Sequence, residues 1–217
     1  MRIAVLGGTG PEGLGLAARL AQIGEAVIIG SRSAERAEEA VKTLSAKLPQ
    51  AKLAGAANAA AAAEAEAVVL AFPYEGIEAI LPDCGPAMAG KVVIDTIVPL
   101  EVDGKFFTVD LPPEGSAGEK IQARLPTAKI VSAFKHQSAH HLIEVEHEME
   151  GDVLLCGNDE AAKAVVADLV RRIRDLRPVD AGDLRSARVF EGMTALLLNI
   201  NRKHKTRSSF RILGLKD

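Results

Sequence analysis

The sequence predicts the α/β fold class, with a doubly wound and mostly parallel sheet of about eight strands. Three observations predict it: short apolar runs of strand length recur along the chain, helical patterns separate them, and a glycine-rich turn follows the first run. A C-terminal helix and a tail complete the predicted architecture.

The glycine-rich turn lies between the first strand, residues 1–6, and a helical pattern that starts at Leu14. Within it, Gly8, Gly10 and Gly13 match the pattern G-x-G-x-x-G. The first glycine permits a tight turn, the second lets a pyrophosphate approach the backbone, and the third allows close packing of helix on strand. We therefore expect a dinucleotide site of the Rossmann type, with a purely structural turn as the alternative.

The end of the second strand, residues 26–29, indicates which dinucleotide binds. An acidic residue for the ribose 2′-hydroxyl is expected here in an NAD site, but this chain has Ser31 and Arg32 instead. Arg36 follows one helical turn later, so both guanidinium groups can reach one phosphate. The pattern predicts NADP. The alternative is that both arginines are solvated and pair with nearby glutamates.

Composition excludes several classes of function. The chain has 217 residues, a formal net charge of −3 and two cysteines, Cys84 and Cys156, with no C-x-x-C motif. This balance argues against nucleic acid or a membrane surface as a partner, and no apolar stretch is long enough to span a bilayer. Sparse cysteines and an N-terminus unlike a signal peptide predict a cytoplasmic protein.

The remaining elements alternate along the chain. Strands are predicted at residues 1–6, 26–29, 52–54, 67–71, 91–95, 129–134, 152–157 and 178–180. Helices are predicted at residues 14–21, 33–48, 58–66, 77–81, 119–125, 159–176 and 186–203, with Asn58 as a candidate N-cap and Pro82 ending the fourth. Residues 102–118 are rich in glycine and proline and predict a long irregular loop, serving as a lid or a subunit contact.

Two strand ends carry candidate residues for a second ligand. Because ligands lie over the carboxyl ends of parallel strands, Phe72 and Pro73 are expected to form an apolar wall beside the nicotinamide, with an ordinary strand-to-helix turn as the alternative. Lys135 and His136 follow another strand and are candidates for polar contacts to a substrate. His136 and His140 have i, i+4 spacing, but no H-E-x-x-H motif or clearly spaced carboxylate accompanies them, so no metal site is predicted.

The C-terminal region is predicted to form an appendage. Residues 1–181 are assigned to the NADP-binding domain and residues 182–217 to a helix with a basic tail. The apolar side of that helix predicts a contact with a second subunit, hence a homodimer or a higher homo-oligomer. The basic residues 201–207 are either solvated or form a patch for an anionic group.

Nearly the whole chain resembles the coenzyme F420-dependent NADP oxidoreductases, also called NADPH-dependent deazaflavin reductases. The segments that carry the resemblance, in order, are residues 1–13, 30–32 with the basic residue 36, the turn at Pro73, and residues 98–100, 131–134, 156–159, 176–182 and 196–200.

The resemblance implies direct hydride transfer between nicotinamide C4 and deazaflavin C5, with NADP as cofactor and coenzyme F420 as the small-molecule co-substrate. It implies that Thr9, Ser31, Arg32 and Arg36 hold the 2′-phosphate. The other residues expected at the dinucleotide are Gly8, Gly10, Pro11, Glu12, Gly13, Phe72 and Pro73, and those expected at the deazaflavin are Ile97, Val98, Pro99, Lys135 and His136.

No residue is assigned to proton transfer, because direct hydride transfer depends on alignment and on exclusion of water. Two alternatives remain open from the residues alone. One is an NADPH-dependent reductase with another acceptor, such as a flavin, a ferric chelate or an imine. The other is a protein that senses NADP without catalysis; such a sensor would need no apolar second pocket.

Overall fold

The strands and helices of the chain alternate almost throughout, as seen in a computed structural model that describes residues 1–215. The strands are β1 (Arg2–Leu6), β2 (Ala26–Ser31), β3 (Lys52–Ala57), β4 (Ala67–Leu70), β5 (Val92–Asp95), β6 (Leu100–Asp103), β7 (Phe106–Val109), β8 (Lys129–Ser132), β9 (Gly151–Gly157) and β10 (Leu176–Asp180). The helices are α1 (Pro11–Gln22), α2 (Ala34–Lys47), α3 (Asn58–Glu64), α4 (Gly76–Cys84), α5 (Ala117–Arg124), α6 (Ala139–Ile143), α7 (Glu160–Arg172) and α8 (Ala187–His204). Two short 3-10 helices lie at Gly85–Met88 and Leu184–Ser186.

Eight strands form one sheet in the order β10-β9-β8-β5-β4-β1-β2-β3. All neighbours pair in parallel except β8 and β9, which are antiparallel. The predicted α/β class and the mostly parallel sheet are therefore confirmed. In the centre, Leu6 of β1 is level with Gly30 of β2 and Leu70 of β4, so three strands end together. Ligands bind over such carboxyl ends.

Alternating side chains of the strands divide the core into two layers. Ile3 and Val5 of β1 face one layer, to which α1, α2 and α7 contribute, whereas Leu6 faces the other, which contains side chains of α4, α5 and α8. Both sides of the sheet are covered, which explains why its strands are continuous apolar runs.

The structure corrects three details. Residues 102–118 are not an irregular loop throughout, because β6 and β7 form an antiparallel hairpin at its start. Helix α4 continues past Pro82 to Cys84, although Pro82 has no N–H to donate within the helix. Asn58 is not an N-cap, because that position is Ala57; the Asn58 side chain instead accepts a hydrogen bond from the Gly7 N–H at 3.4 Å.

Across residues 1–215, no helix combines the length and the apolar character that crossing a bilayer requires.

Candidate active site

The glycine turn is shaped by close backbone packing at the carboxyl ends of β1 and β4. Gly7 has φ +77°, and a Cβ there would lie 2.7 Å from the carbonyl oxygen of Ala71. The left-handed turn residue is thus Gly7, one position before the glycine to which we assigned the tight turn. A Cβ on Gly8 would lie 2.7 Å from the Val5 carbonyl oxygen, so Gly8 is required for packing instead.

The turn continues into the N-terminus of α1. Gly10 is the N-cap, Pro11 is the first helical residue, and Glu12 lies in the first turn. A Cβ on Gly13 would lie 2.6 Å from the Gly7 carbonyl oxygen, which confirms the predicted close packing of helix on strand. A Cβ on Gly10 would meet only that same oxygen, at 3.4 Å, so Gly10 faces open space. Free backbone N–H groups and the helix dipole suit this position to an anion.

A cavity of about 470 Å³, here called the arginine cavity, lies beside this turn. Its lining includes Thr9, Ser31, Arg32 and Arg36. Ser33 is the N-cap of α2, because its hydroxyl accepts a hydrogen bond from the backbone N–H of Arg36. The helix therefore begins where Arg32 and Arg36 can reach one phosphate.

The two arginine side chains are free to bind a ligand. Both Arg32 and Arg36 are exposed, and within residues 1–215 neither guanidinium group makes a hydrogen bond or an ion pair. Glu35, one of the glutamates considered as their partners, instead accepts a hydrogen bond from the Ser33 hydroxyl. The local interpretation of Arg32 and Arg36 as surface ion pairs therefore does not hold.

A second cavity of about 540 Å³, here called the apolar cavity, adjoins the first. The two cavities share Gly10, Ala71, Phe72 and Pro73, so the segment that follows β4 forms their common wall. On the far side, the apolar cavity is lined by Ile97, Val98, Phe134, Leu197 and Leu198. A planar apolar ligand in this cavity would thus lie next to a ligand that extends from the arginine cavity.

Beneath the apolar cavity lies a buried ion cluster centred on Lys135. Its ammonium Nζ is 2.7 Å from Asp95 Oδ2 and 3.3 Å from Glu191 Oε1, and it donates a further hydrogen bond to the Ile97 carbonyl. Burial would lower the pKa of Lys135, but the carboxylates of Asp95 and Glu191 raise it above its ordinary value. Burial also raises the pKa of Glu191, to about 7.

This cluster changes the interpretation of Lys135. The side chains of Lys135, Asp95 and Glu191 are all inaccessible to solvent. All three ammonium protons have partners inside the protein, so the polar contact to substrate that we expected from Lys135 has no free donor. The cluster instead fixes the start of the loop that carries Ile97 and joins it to α8.

His136 lies in the cavity wall as a neutral imidazole. Its Nε2 is 3.1 Å from the Phe190 carbonyl and therefore donates to it, while Nδ1 is buried without a partner among the described residues. Burial lowers the pKa of His136 to about 4, and the neighbouring Lys135 charge acts in the same direction. The ring makes edge contacts with Phe190 and Phe210.

Most of the site residues predicted from the sequence lie at the two cavities. The predicted residues that line one or both cavities are Thr9, Gly10, Pro11, Glu12, Ser31, Arg32, Arg36, Phe72, Pro73, Ile97, Val98, Lys135 and His136. Gly8, Gly13 and Pro99 do not line either cavity. Sequence reasoning missed Asn58, Thr96, Thr194, Leu197, Leu198, Asn201 and Ser208. Several of these lie on α8, whose apolar stripe was assigned only to packing.

The histidines after β8 divide into two places. His136 is bound to Phe190 in the cavity wall, whereas the rings of His140, His141 and His147 lie against one another, with centroids 6.0 Å and 4.2 Å apart in that order. His140 Nδ1 also lies 3.5 Å from Glu144 Oε1. In the part of the chain that the structure describes, no group of three or more His, Cys, Asp or Glu side chains is arranged to hold a metal ion.

Comparison with known proteins shows the relationships of the chain. The family described as coenzyme F420-dependent NADP oxidoreductase matches residues 2–99. The F420-dependent NADP reductase of Methanocaldococcus jannaschii is 40% identical over 100% of both chains. The F420-dependent NADP reductase of Methanothermobacter marburgensis is 39% identical, again over 100% of both.

A solved structure agrees with these relatives. A crystal structure from Arthrobacter sp. FB24, provisionally assigned as an F420-dependent NADP reductase, has a TM-score of 0.84 and 32% identity, covering 98% of this chain and 99% of that one. Similarity of sequence and of fold thus extends over the whole chain. The chain belongs to the family of F420-dependent NADP reductases.

Proposed function

We propose that this protein is an oxidoreductase that transfers a hydride between NADP(H) and coenzyme F420, directly from one ring to the other. The observation that carries the proposal is the shared wall between the two cavities. Because Gly10, Phe72 and Pro73 border both, ligands in the two cavities would meet at this wall. The apolar lining by Ile97, Val98 and Leu197 favours a ring system as the second ligand, which a sensor of NADP would not require.

The residues of the arginine cavity fit the dinucleotide with a 2′-phosphate. Two exposed guanidinium groups without protein partners, Arg32 and Arg36, supply planar charged donors, and Ser31 and Thr9 supply hydroxyl groups. Gly10 leaves room for a pyrophosphate at the N-terminus of α1. We assign the adenosine phosphate end to this cavity and the nicotinamide end to the shared wall.

Catalysis in this proposal is mainly alignment. Hydride transfer requires two rings held face to face at short distance with water excluded. Phe72 and Pro73 would support the nicotinamide, and Ile97 and Val98 would support the deazaflavin. The ion cluster beneath Ile97 would hold this wall rigid, because Lys135 is fixed to both β5 and α8.

The test is an absorbance assay of NADPH oxidation with coenzyme F420, with a flavin, a ferric chelate and a cyclic imine as comparison acceptors. Turnover that depends on F420, with NADH much poorer than NADPH, is expected. Tight NADPH binding together with no F420 turnover would reject the proposed acceptor while leaving the dinucleotide site intact.

We also propose that the described part of the C-terminal region, residues 182–215, acts both as a wall of the cleft and as a subunit contact in a homodimer or a higher homo-oligomer. Val189 and Leu196 of α8 are 62% and 52% exposed, and Phe106 of the hairpin is 62% exposed. Light scattering measures the molar masses of the wild type and of Leu196→Glu over a range of concentrations, and the substitution is expected to lower the mass. If both proteins were monomeric at every concentration, the proposal would be contradicted.

Two free cysteines, Cys84 and Cys156, are buried in the structure, and free thiols are typical of proteins in reducing compartments. On this basis we propose a cytoplasmic location. Fractionation of the source cells with antibody detection would test it, and recovery outside the cytoplasmic fraction would contradict it.

A further inference from the structure

Buried polar side-chain atoms without hydrogen-bond partners are concentrated at the cleft. Within residues 1–215 there are four such atoms: Glu12 Oε1, Glu114 Oε2, His136 Nδ1 and Gln137 Oε1. Glu12, His136 and Gln137 all line the apolar cavity. Buried polar groups are normally paired, so this concentration indicates groups that await a ligand.

Glu12 differs from the other two because it is an acid. It lies in the first turn of α1, two residues after the N-cap Gly10; the residue is half-buried, and its Oε1 is out of contact with solvent. Burial raises the pKa of Glu12 to about 8, and no charged neighbour contributes. A pKa in this range leaves the side chain mainly as a carboxylic acid at neutral pH, with a proton to donate.

The charged groups on the surrounding elements leave Glu12 without a counter-ion. Helix α6 packs on α1 and carries His140, which is paired with Glu144. His136 lines the same cavity as a neutral ring, and the Lys135 ammonium is enclosed by Asp95 and Glu191. Arg19, further along α1, is bound to backbone carbonyls after β8, and no charged side chain contributes to the pKa of Glu12.

We infer that Glu12 binds the dinucleotide as a neutral carboxylic acid, so that binding of NADP(H) is coupled to protonation of this side chain. The inference rests on the proposed dinucleotide site. A pyrophosphate at the N-terminus of α1 would be repelled by an ionised carboxylate in the first turn of the same helix. The protonated acid removes that repulsion and can donate a hydrogen bond to a ligand oxygen.

The direction of the pH effect follows from linkage. Well below pH 8 Glu12 already carries its proton, so binding requires no proton uptake and affinity is constant. Above pH 8 the free protein loses the proton, and binding must restore it, so the dissociation constant rises by up to about tenfold per pH unit. The 2′-phosphate of NADPH ionises near pH 6, so the window from pH 7 to 9.5 isolates the side chain.

The test is NADPH binding by fluorescence from pH 7 to 9.5, for the wild type, Glu12→Gln and Glu114→Gln. Glu114 is the matched control, because it also has a buried unpartnered oxygen but does not line either cavity. Wild type and Glu114→Gln should lose affinity above pH 8, whereas Glu12→Gln should retain it. Superimposable profiles for all three proteins would overturn the inference.

A second measurement needs no variant. Calorimetric titration of the wild type with NADPH at pH 8.5, in two buffers of different ionisation enthalpy, should show net proton uptake. Absence of uptake would overturn the inference even if Glu12→Gln failed to fold. Absence of NADPH binding at every pH would instead reject the proposed dinucleotide site.

Discussion

Lys135 Nζ lies 2.7 Å from Asp95 Oδ2, and neither side chain is accessible to solvent. Ser132 also donates to Asp95 Oδ2, at 2.6 Å, and the backbone N–H of Ile97 donates to Oδ1, at 2.9 Å. One carboxylate thus ties together the ends of β5 and β8 and the loop after β5 that carries Ile97. A buried charge is costly unless it is paired and hydrogen-bonded, so each member of the cluster depends on the others.

The first prediction concerns this cluster. Lys135→Met should lower the free energy of unfolding by about 3–5 kcal/mol, because it leaves buried carboxylates without a counter-ion. Urea unfolding measures the change. Lys129→Met is the control, since Lys129 pairs with Asp159 at the surface, and it should leave stability near the wild-type value. Equal losses of stability for the two substitutions would show that the buried Lys135–Asp95 pair contributes no more than a surface ion pair.

This cluster also illustrates what sequence reasoning can and cannot supply. The region around β1 could be predicted, since strand, turn and helix are adjacent and each follows from local patterns. The role of Lys135 could not, because its partners Asp95 and Glu191 are 40 and 56 positions away. A lysine after a strand is equally consistent with a substrate contact until the partners are known.

The C-terminal helix α8 is a second element whose role in the site could not be predicted from the sequence. Its apolar stripe correctly predicted a helix, but it did not indicate which side of α8 borders the cleft. Thr194, Leu197 and Leu198 line the apolar cavity because α8 packs against the segment that follows β8. That position depends on tertiary contacts such as the Thr194 hydroxyl donating to the Lys135 carbonyl.

The second prediction separates the two dinucleotides. Arg32→Ala should raise the dissociation constant for NADPH about 10- to 100-fold, since a hydrogen bond to a charged group is worth about 1.5–3 kcal/mol. Binding of NADH, which lacks the 2′-phosphate, should change little. Fluorescence titration measures both constants, and Arg36→Ala should have the same selectivity. If NADH binding weakened as much as NADPH binding, Arg32 would not contact the phosphate.

The third prediction separates binding from folding at Gly10. A methyl group there would meet no closer atom than the Gly7 carbonyl oxygen at 3.4 Å, so Gly10→Ala should cost only about 1 kcal/mol at the N-cap. The same methyl group would occupy the space that both cavities share, so NADPH binding should be lost. Gly192→Ala is the control, because its Cβ meets nothing within 4 Å in α8 and should favour the helix. Retained NADPH affinity in Gly10→Ala would place the pyrophosphate elsewhere.

The last prediction concerns Arg19, a residue whose importance was not apparent from the sequence. Its side chain is 1% exposed and donates to the carbonyl oxygens of five residues after β8. These are His141, Leu142, Glu144, Val145 and His147. The five carbonyls end α6 and start the following loop, so one guanidinium supplies donors that the backbone there lacks.

Arg19→Met should therefore destabilise the protein by about 3 kcal/mol or more, because buried carbonyls lose charged donors. Arg19→Lys should be intermediate, since three ammonium protons cannot serve five acceptors. Arg211→Met, which removes an exposed ion pair with Glu150, is the control and should be near wild type. Hydrogen exchange should locate the loss in residues 139–147. Uniform loss of protection over the whole chain, with α6 no more affected than α7, would show that Arg19 stabilises the fold without organising this segment.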